Sequence, residues 1–147
     1  MRPGALIALG AAPVGIIGAA FLVFGLNEAD VARGRVLYDV NCASCHGGNL
    51  EGQPDWQLLG PDGRLPAPPH DASGHSWHHS DAVLIAYITL GGTEAMAQMG
   101  VALDSGMPGF GDVLSPDEIT DILAFIKSHW PERERDYQAE QNITEGE

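Results

Sequence analysis

Positive charge is scarce in this chain of 147 residues, which has 7 lysines and arginines against 20 aspartates and glutamates. The formal net charge is −13, so nucleic acid and anionic lipid surfaces would repel the protein. The excess of carboxylates instead favours partner proteins with a basic docking patch. It also keeps the protein soluble, and this second role needs no partner at all.

Cysteine is almost absent as well, because the chain contains only Cys42 and Cys45. Both belong to one short motif, so no structural disulfide is available to indicate the compartment. Glycine and proline are abundant by contrast, with 19 and 10 residues. Much of the chain is therefore loop, its own hydrophobic core is modest, and its length fits one domain with attachments.

The motif that contains both cysteines is Cys42-Ala43-Ser44-Cys45-His46. Two thiols one helical turn apart can add to the two vinyl groups on one edge of a porphyrin, and the histidine can then reach the iron. A redox dithiol usually lies between a strand and a helix, and a zinc site would need two further ligands at matching spacing. We therefore predict one covalently bound haem c, with His46 as an axial ligand.

A second candidate ligand is Met107, which precedes Pro108 in a glycine-rich segment just before the last predicted helix. Methionine normally fills gaps in a core, so a methionine in a loop is unusual. A loop whose backbone is restricted by proline is suited to present the sulfur to an open iron position. We predict Met107 as the second axial ligand, with Met96 and Met99 as weaker alternatives.

The segment Ala5–Leu26 contains 22 residues without a charge. As a helix it would be about 33 Å long, enough to cross a bilayer. Arg2 precedes the segment and acidic residues follow it, so the N-terminus is predicted in the cytoplasm. Cleavage of a signal peptide near Gly18-Ala19-Ala20 is the alternative, but it would leave an apolar new terminus. We favour an uncleaved, single-pass anchor in the cytoplasmic membrane, with the haem domain on the periplasmic side.

Three helices are predicted after the anchor from their capping residues and apolar periodicity. They run from Asn27 to Val40, from Ala82 to Leu90 after Ser80, and from Pro116 towards Trp130 after Ser115. We expect the first and last to cross, with Phe125 near the notch left by Gly34. The sequence thus divides into an anchor (1–27), an all-α haem domain (28–130) and a polar tail (131–147), which we expect to be a frayed helix or disordered.

Two loop segments separate the first and second of these helices. Residues 47–69 have no periodicity and many turn residues, so we expect them to wrap an edge of the haem. The following segment contains an unusual group of histidines: His70, His75, His78 and His79. These side chains either bind a second metal ion, although their spacing matches no standard site, or, together with Trp77, donate hydrogen bonds to haem propionates or loop carbonyls and cap the next helix.

With these motifs in view, the chain resembles class I c-type cytochromes over about residues 29 to 130. The resemblance is carried by Cys42–His46 and by Met107-Pro108 before Leu114-Ser115-Pro116-Asp117-Glu118. The segment from Gly63 to His79 is similar to a bacterial subgroup of membrane-anchored monohaem cytochromes. The resemblance implies a small helical fold around one haem, axial ligation by His46 and Met107, and electron transfer as the activity.

The predicted function is therefore one-electron transfer between membrane or periplasmic redox proteins, with no enzymatic activity and no small-molecule substrate. Imidazole and thioether ligands together favour a relatively high potential. One alternative is a haem enzyme or gas sensor, which would need an open sixth position and a distal acid such as His75 or His78. Another alternative is a fixed haem subunit of a larger respiratory complex.

Overall fold

Six α-helices and one short 3₁₀ helix form the regular structure in the computed structural model, which describes residues 26–144. In chain order these are α1 (Glu28–Asn41), α2 (Ala43–His46), the 3₁₀ helix (Ser76–His78), α3 (Asp81–Leu90), α4 (Gly92–Gln98), α5 (Pro116–Ser128) and α6 (Glu132–Thr144). No strand occurs between residues 26 and 144. The prediction of an all-α domain is confirmed for this part of the chain.

The predicted transmembrane helix lies outside the described residues, except for Leu26 at its end. Within residues 26–144, none of the helices combines the length and the apolarity needed to span a bilayer. The anchor, and the domain boundary at residue 27, stay predictions.

Side-chain caps begin the three helices that the sequence predicted. Asn27 caps α1 and Ser80 caps α3, each by accepting a hydrogen bond from a first-turn amide. At the start of α5, the Glu118 carboxylate accepts from the Ser115 amide at 2.8 Å, and the Ser115 hydroxyl accepts from the Glu118 amide at 3.4 Å. This reciprocal capping box satisfies two amides that would otherwise lack partners.

Helix α1 packs across α5, as predicted. Gly34 is buried at the crossing, where an added Cβ would overlap the carbonyl of Asp121 and lie 3.0 Å from Cβ of Phe125. The Arg33 guanidinium donates two hydrogen bonds to the Asp121 carboxylate, at 2.9 and 3.1 Å. The glycine thus permits the close approach, and the ion pair fixes its register.

The core lies between this helix pair and the loops that follow α2. Its buried apolar residues come from α1, from the first loop, from α3 and above all from α5 and the residues on either side of it: Tyr38, Leu50, Ile88, Leu114, Ile119, Ile122, Leu123, Phe125, Ile126 and Trp130. The Tyr38 hydroxyl donates to the carbonyl of Gly47 at 2.9 Å, which ties α1 to the loop beyond the haem motif.

For residues 132–144 of the C-terminal tail, the expected helix is present, but the expectation that it is frayed or disordered is wrong. They form the regular helix α6, and Gln138 within it is only 1% exposed. The Gln138 amide donates to the Asp81 carboxylate at 2.7 Å and to the His79 carbonyl at 3.2 Å. A helix that is polar on all sides shows no apolar periodicity, so its sequence does not indicate that it packs against the rest of the domain. The contacts of Gln138 that attach α6 are hydrogen bonds.

Candidate haem-binding site

The motif from Cys42 to His46 forms a single helical turn at the end of α1. The amide of Cys42 donates to Tyr38 O at 2.8 Å and the amide of His46 donates to Cys42 O at 3.0 Å, so the turn continues from α1 almost without a break. Cys42 is partly buried, Cys45 is exposed, and both are free thiols. Two thiols on one turn, one at the core and one at the surface, can bond two points on the edge of one flat ligand.

The chemistry of these thiols does not favour a redox or zinc site. Burial raises the pKa of Cys42 to about 11, and the neighbouring Cys45 contributes a smaller increase. The free Cys42 thiol is therefore protonated at neutral pH, whereas the reactive cysteines of redox sites have a lowered pKa. Within residues 26–144, no group of three or more His, Cys, Asp or Glu side chains is arranged to hold a metal ion.

His46 is 8% exposed, and its Nδ1 lies 2.9 Å from the carbonyl oxygen of Pro68. A carbonyl only accepts, so Nδ1 carries the proton and Nε2 keeps its lone pair as a potential metal ligand. Burial lowers the pKa of His46, partly offset by the bond to Pro68. The side chain is therefore a neutral imidazole with one nitrogen committed to the protein and one available.

The Pro68 carbonyl, which sequence reasoning missed, is held in place by the loop that follows the motif. Gly52 N donates to His46 O at 2.8 Å and Gln53 N donates to Ala67 O at 2.8 Å, so this loop runs beside residues 67–70. Gly52 has φ +66°, and a Cβ there would overlap the backbone of the Pro68–Pro69 peptide. A glycine that faces paired prolines is the sequence signal that could have indicated this close approach.

A second contact to His46, also missed, comes from His70. The two imidazole rings are stacked, with centroids 4.0 Å apart and planes inclined by 22°. The predicted ligand is thus contacted at Nδ1 by Pro68 and on one face by His70. The sequence marked His70 only as one member of a histidine-rich segment, and nothing in its spacing pointed to His46.

Met107 lies in a loop that is attached to the end of α3 and the start of α4. Its carbonyl accepts from Gly92 N at 3.0 Å, and its amide donates to Ser105 Oγ at 3.2 Å. The amides of Phe110 and Gly111 donate to carbonyls in the last turn of α3, at 2.8 and 3.0 Å. The side chain of Met107 is partly buried and packs against the same core cluster as Cys42.

The other two methionines are in less favourable positions for an iron ligand. Met99 is the residue that ends α4 and is 49% exposed, and Met96 is partly buried within α4. Helix α4 itself was not predicted, because its small residues give no clear periodicity. Of the three candidates, Met107 is the one that packs against the core cluster.

The remaining histidines of the loop pack against aromatic rings. His75 is stacked on Trp56 with ring centroids 5.3 Å apart, and His78 is stacked on Trp77 at 3.7 Å. The indole of Trp77 donates to the carbonyl of Gly74 at 3.1 Å, which agrees with the expectation of hydrogen bonds to loop carbonyls. These contacts, together with the lack of a metal-binding cluster within residues 26–144, give no support to a second metal site.

The donor set fits a covalently attached haem. It provides two free thiols on one helical turn, followed at once by a buried neutral imidazole whose Nδ1 is fixed. A fixed Nδ1 bond is the usual partner of a histidine that ligates metal through its other nitrogen. Each feature is a property of this chain's own residues and does not depend on a resemblance.

Comparisons with known proteins point the same way. The family model for cytochrome c matches residues 31–130. The chain is 29% identical over 98 residues to cytochrome c6 of Synechocystis sp., which covers 67% of this chain and 64% of that protein. It is 27% identical over 103 residues to the cbb3-type cytochrome c oxidase subunit FixP of Sinorhizobium medicae, which covers 70% of this chain and 31% of that protein. No solved structure gives a significant match.

The family match includes the cysteine motif, the Met107 loop and α5, and it ends before α6. The chain spans just under two thirds of the cytochrome c6 relative and a much smaller share of FixP. The family model covers most of the chain, so the assignment to this family does not depend on the similarity to either relative. The chain belongs to the cytochrome c family, and its cofactor is covalently bound haem c.

Proposed function

We propose that the protein is a one-electron carrier and not an enzyme. In this proposal Cys42 and Cys45 attach the haem through thioether bonds, and His46 ligates the iron through Nε2. Haem c supplies a one-electron Fe(III)/Fe(II) couple when bound. The observation that carries the proposal is the 2.9 Å bond from Nδ1 of the buried His46 to the Pro68 carbonyl, because it leaves Nε2 as the only nitrogen available to a metal.

We propose Met107 as the sixth ligand. The support is its loop, which hydrogen bonds fasten to α3 and α4, and its packing against the core cluster that Cys42 also contacts. A rigid loop places a ligand with little reorganisation when the iron changes charge, which suits electron transfer. With both axial positions taken by protein side chains, a small-molecule substrate has no site on the iron.

The spectrum of the oxidised holoprotein in the near infrared tests this ligation. We expect a weak sulfur-to-iron charge-transfer band in the wild type, lost in Met107→Ala and retained in the matched control Met99→Ala. A wild-type protein without the band, or a Met107→Ala protein that keeps it, would contradict the assignment of Met107. Loss of the band in Met99→Ala would transfer the assignment to that residue.

Location and partners form a separate part of the proposal. The uncharged segment Ala5–Leu26 would anchor the chain, with the haem domain (28–130) and the tail (131–147) on the periplasmic side. The net charge of −13 favours redox partners with a basic docking patch. Retention of the full-length haem protein in the membrane fraction after a high-salt wash supports the anchor, and its release into the soluble fraction contradicts it.

A second candidate function is a fixed haem subunit of a respiratory complex. The observation that favours it is the match to FixP, whose name describes it as a subunit of a cbb3-type cytochrome c oxidase. Purification from membranes in mild detergent distinguishes the two. A free carrier is recovered alone, whereas a subunit is recovered in constant ratio with other polypeptides.

A further inference from the structure

We infer that His70 is a positioning residue that sets the orientation of the His46 imidazole. The inference rests on the proposed role of His46 as an axial ligand. It goes beyond that role, because the cysteine motif alone does not call for a second histidine packed against His46. Its basis is the stacked contact between the two rings, 4.0 Å apart and inclined by 22°.

The hydrogen bond from His46 to Pro68 does not fix the imidazole by itself. A single bond of 2.9 Å at Nδ1 leaves the ring free to rock about the axis from that nitrogen to the carbonyl oxygen. A flat ring packed against one face blocks tilting towards that face, since such a tilt would bring the two rings into overlap. Pro68 therefore fixes the tautomer and direction of His46, and His70 fixes its plane.

His70 can act as a fixed surface because its own position is determined on several sides. Its amide donates to Leu50 O and its carbonyl accepts from the Trp130 indole, both at 2.8 Å. Its Nδ1 lies 2.8 Å from Ser76 Oγ, and its ring meets the edge of Tyr38. These four neighbours are each at most 6% exposed, so they belong to the rigid interior.

The plane of an axial imidazole determines how strongly its orbitals mix with those of the iron in each direction. It therefore sets the anisotropy of the oxidised low-spin centre, which electron paramagnetic resonance measures as g-values. His70 also covers one face of His46 against water. Its removal would let water stabilise the more highly charged ferric state, which lowers the reduction potential.

The test compares His70→Ala, His70→Phe and the control His129→Ala, each as the full-length holoprotein. His129 is an exposed histidine at the end of α5, so its loss removes an imidazole without contact to His46. We expect broadened or multiple g-values and a lowered potential in His70→Ala. We expect one sharp set close to the wild type in His70→Phe, because phenylalanine keeps a flat ring, and no change in His129→Ala.

A gentler variant keeps the inference testable if His70→Ala does not fold. Ser76→Ala removes the partner of His70 Nδ1 but leaves His46 untouched. We expect a smaller change in the g-values in the same direction as His70→Ala. This change should vanish when Ser76→Ala is made in the His70→Phe background, because phenylalanine has no Nδ1 to lose.

Folded His70→Ala protein with g-values and potential equal to those of the wild type would overturn the inference. An effect of Ser76→Ala that persists unchanged in the His70→Phe background would overturn it as well. Failure of the proposed function is a different result: the wild-type spectrum itself would then lack the features of histidine and methionine ligation. Failure of the proposed function is therefore seen in the wild-type protein, whereas failure of the inference is seen in the His70 and Ser76 variants.

Discussion

Gly34 is the residue at which the two principal helices, α1 and α5, come into contact. Its Cα faces the backbone of Asp121 so closely that a Cβ would overlap the carbonyl oxygen, and backbone cannot move aside as a flexible side chain can. This one glycine therefore determines how deeply α1 settles against α5. Because α1 runs into Cys42, it also determines where the haem motif lies.

We predict that Gly34→Ala destabilises the protein by about 1–3 kcal/mol, the cost typical of overpacking. The alanine must push the helices apart, which also lengthens the bonds between Arg33 and Asp121. Gly48→Ala is the matched control, since a Cβ there would meet nothing within 4 Å and the residue has no positive φ. Denaturant unfolding of both variants checks the prediction, and equal stabilities would contradict it.

Gly91 permits a close approach of the Met107 loop, as Gly34 permits the close approach of α1 and α5. It has φ +82°, and an added Cβ would lie 2.7 Å from Gly109 N and 2.9 Å from the carbonyl oxygen of Met107. An alanine here is strained by its backbone conformation and also pushes on the Met107 loop. Gly100 separates these two effects, because it has φ +77° but open space around its Cβ position.

We therefore predict that Gly91→Ala weakens or abolishes the near-infrared band expected from the sulfur of Met107, whereas Gly100→Ala keeps it. Both variants should lose stability by about 1–3 kcal/mol from the positive φ alone. Near-infrared spectra of the two oxidised holoproteins make the comparison. A band that is equally strong in both would show that contact with Gly91 does not position Met107.

Among the elements, α5 begins with the most complete cap. The Ser115 amide and hydroxyl both donate to the Glu118 carboxylate at 2.8 Å, and these bonds hold the pKa of Glu118 below its ordinary value of 4.5. A carboxyl whose pKa is lowered on folding contributes stability above its unfolded pKa. That contribution is lost as the pH falls through the folded pKa.

Glu118→Gln should therefore be less stable than the wild type near neutral pH, and the difference should shrink below about pH 4.5. Unfolding midpoints of both proteins at about pH 7 and about pH 3 test this. Asp117→Asn is the matched control, because it changes a neighbouring first-turn carboxylate that makes no capping bond to Ser115. A difference between wild type and Glu118→Gln that stays constant with pH would contradict the role of the carboxylate.

Helices with a strong local signal could be predicted from the sequence, and those held by distant contacts could not. Asn27, Ser80 and Ser115 mark the starts of α1, α3 and α5, because a cap is a local interaction between neighbours in the chain. The crossing at Gly34 was also predictable, since a glycine inside a helix needs a packing reason. Helices α4 and α6 lack such signals.

The same distinction holds within the site. The cysteine motif and Met107 are short stretches whose chemistry is visible in the sequence alone. Pro68 and His70 are 22 and 24 residues from His46 in the chain, and only the folded loop brings the former to Nδ1 and the latter to the ring face. Contacts across such distances depend on turn geometry, which residues 47–69 encode too loosely for prediction.

Helix α6 is the element that extends beyond the family match. It docks through Gln138, whose amide donates to Asp81, and Asp81 also accepts from Lys127 at 2.8 and 3.0 Å. Tyr137 on the same helix contacts Trp77 edge-on, with ring centroids 5.4 Å apart. The helix therefore braces the 3₁₀ turn and the start of α3 together.

We predict that Gln138→Ala lowers the free energy of unfolding by about 1–3 kcal/mol, because the carbonyl of His79 and one Asp81 oxygen each lose the donor that Gln138 provides. Glu140→Ala, an exposed change on the same helix, should have little effect. Hydrogen exchange of the α6 amides is the measurement, and we expect faster exchange in Gln138→Ala only. Unchanged exchange would contradict the role of Gln138 and mean that α6 docks mainly through Tyr137 and through Asn142, which accepts from the Asp81 amide at 2.7 Å.

At the scale of the whole molecule, the chain combines a rigid site with a strongly acidic surface. The rigid part holds His46 from two sides and Met107 by its loop. If both ligate the iron as proposed, no position on the iron is left for a substrate. The net charge of −13 acts on partners instead, by favouring basic surfaces and repelling acidic ones. The proposed anchor would add a high local concentration near membrane-bound partners.

Carbon monoxide binding by the reduced holoprotein tests most directly whether the iron is closed by two protein ligands. Carbon monoxide binds ferrous haem only where the sixth position is open or its ligand leaves readily. We predict that wild-type protein forms no carbon monoxide complex under conditions in which Met107→Ala forms one completely. A wild type that binds carbon monoxide as readily as Met107→Ala would contradict electron transfer through a closed centre, and would instead favour a haem enzyme or gas sensor.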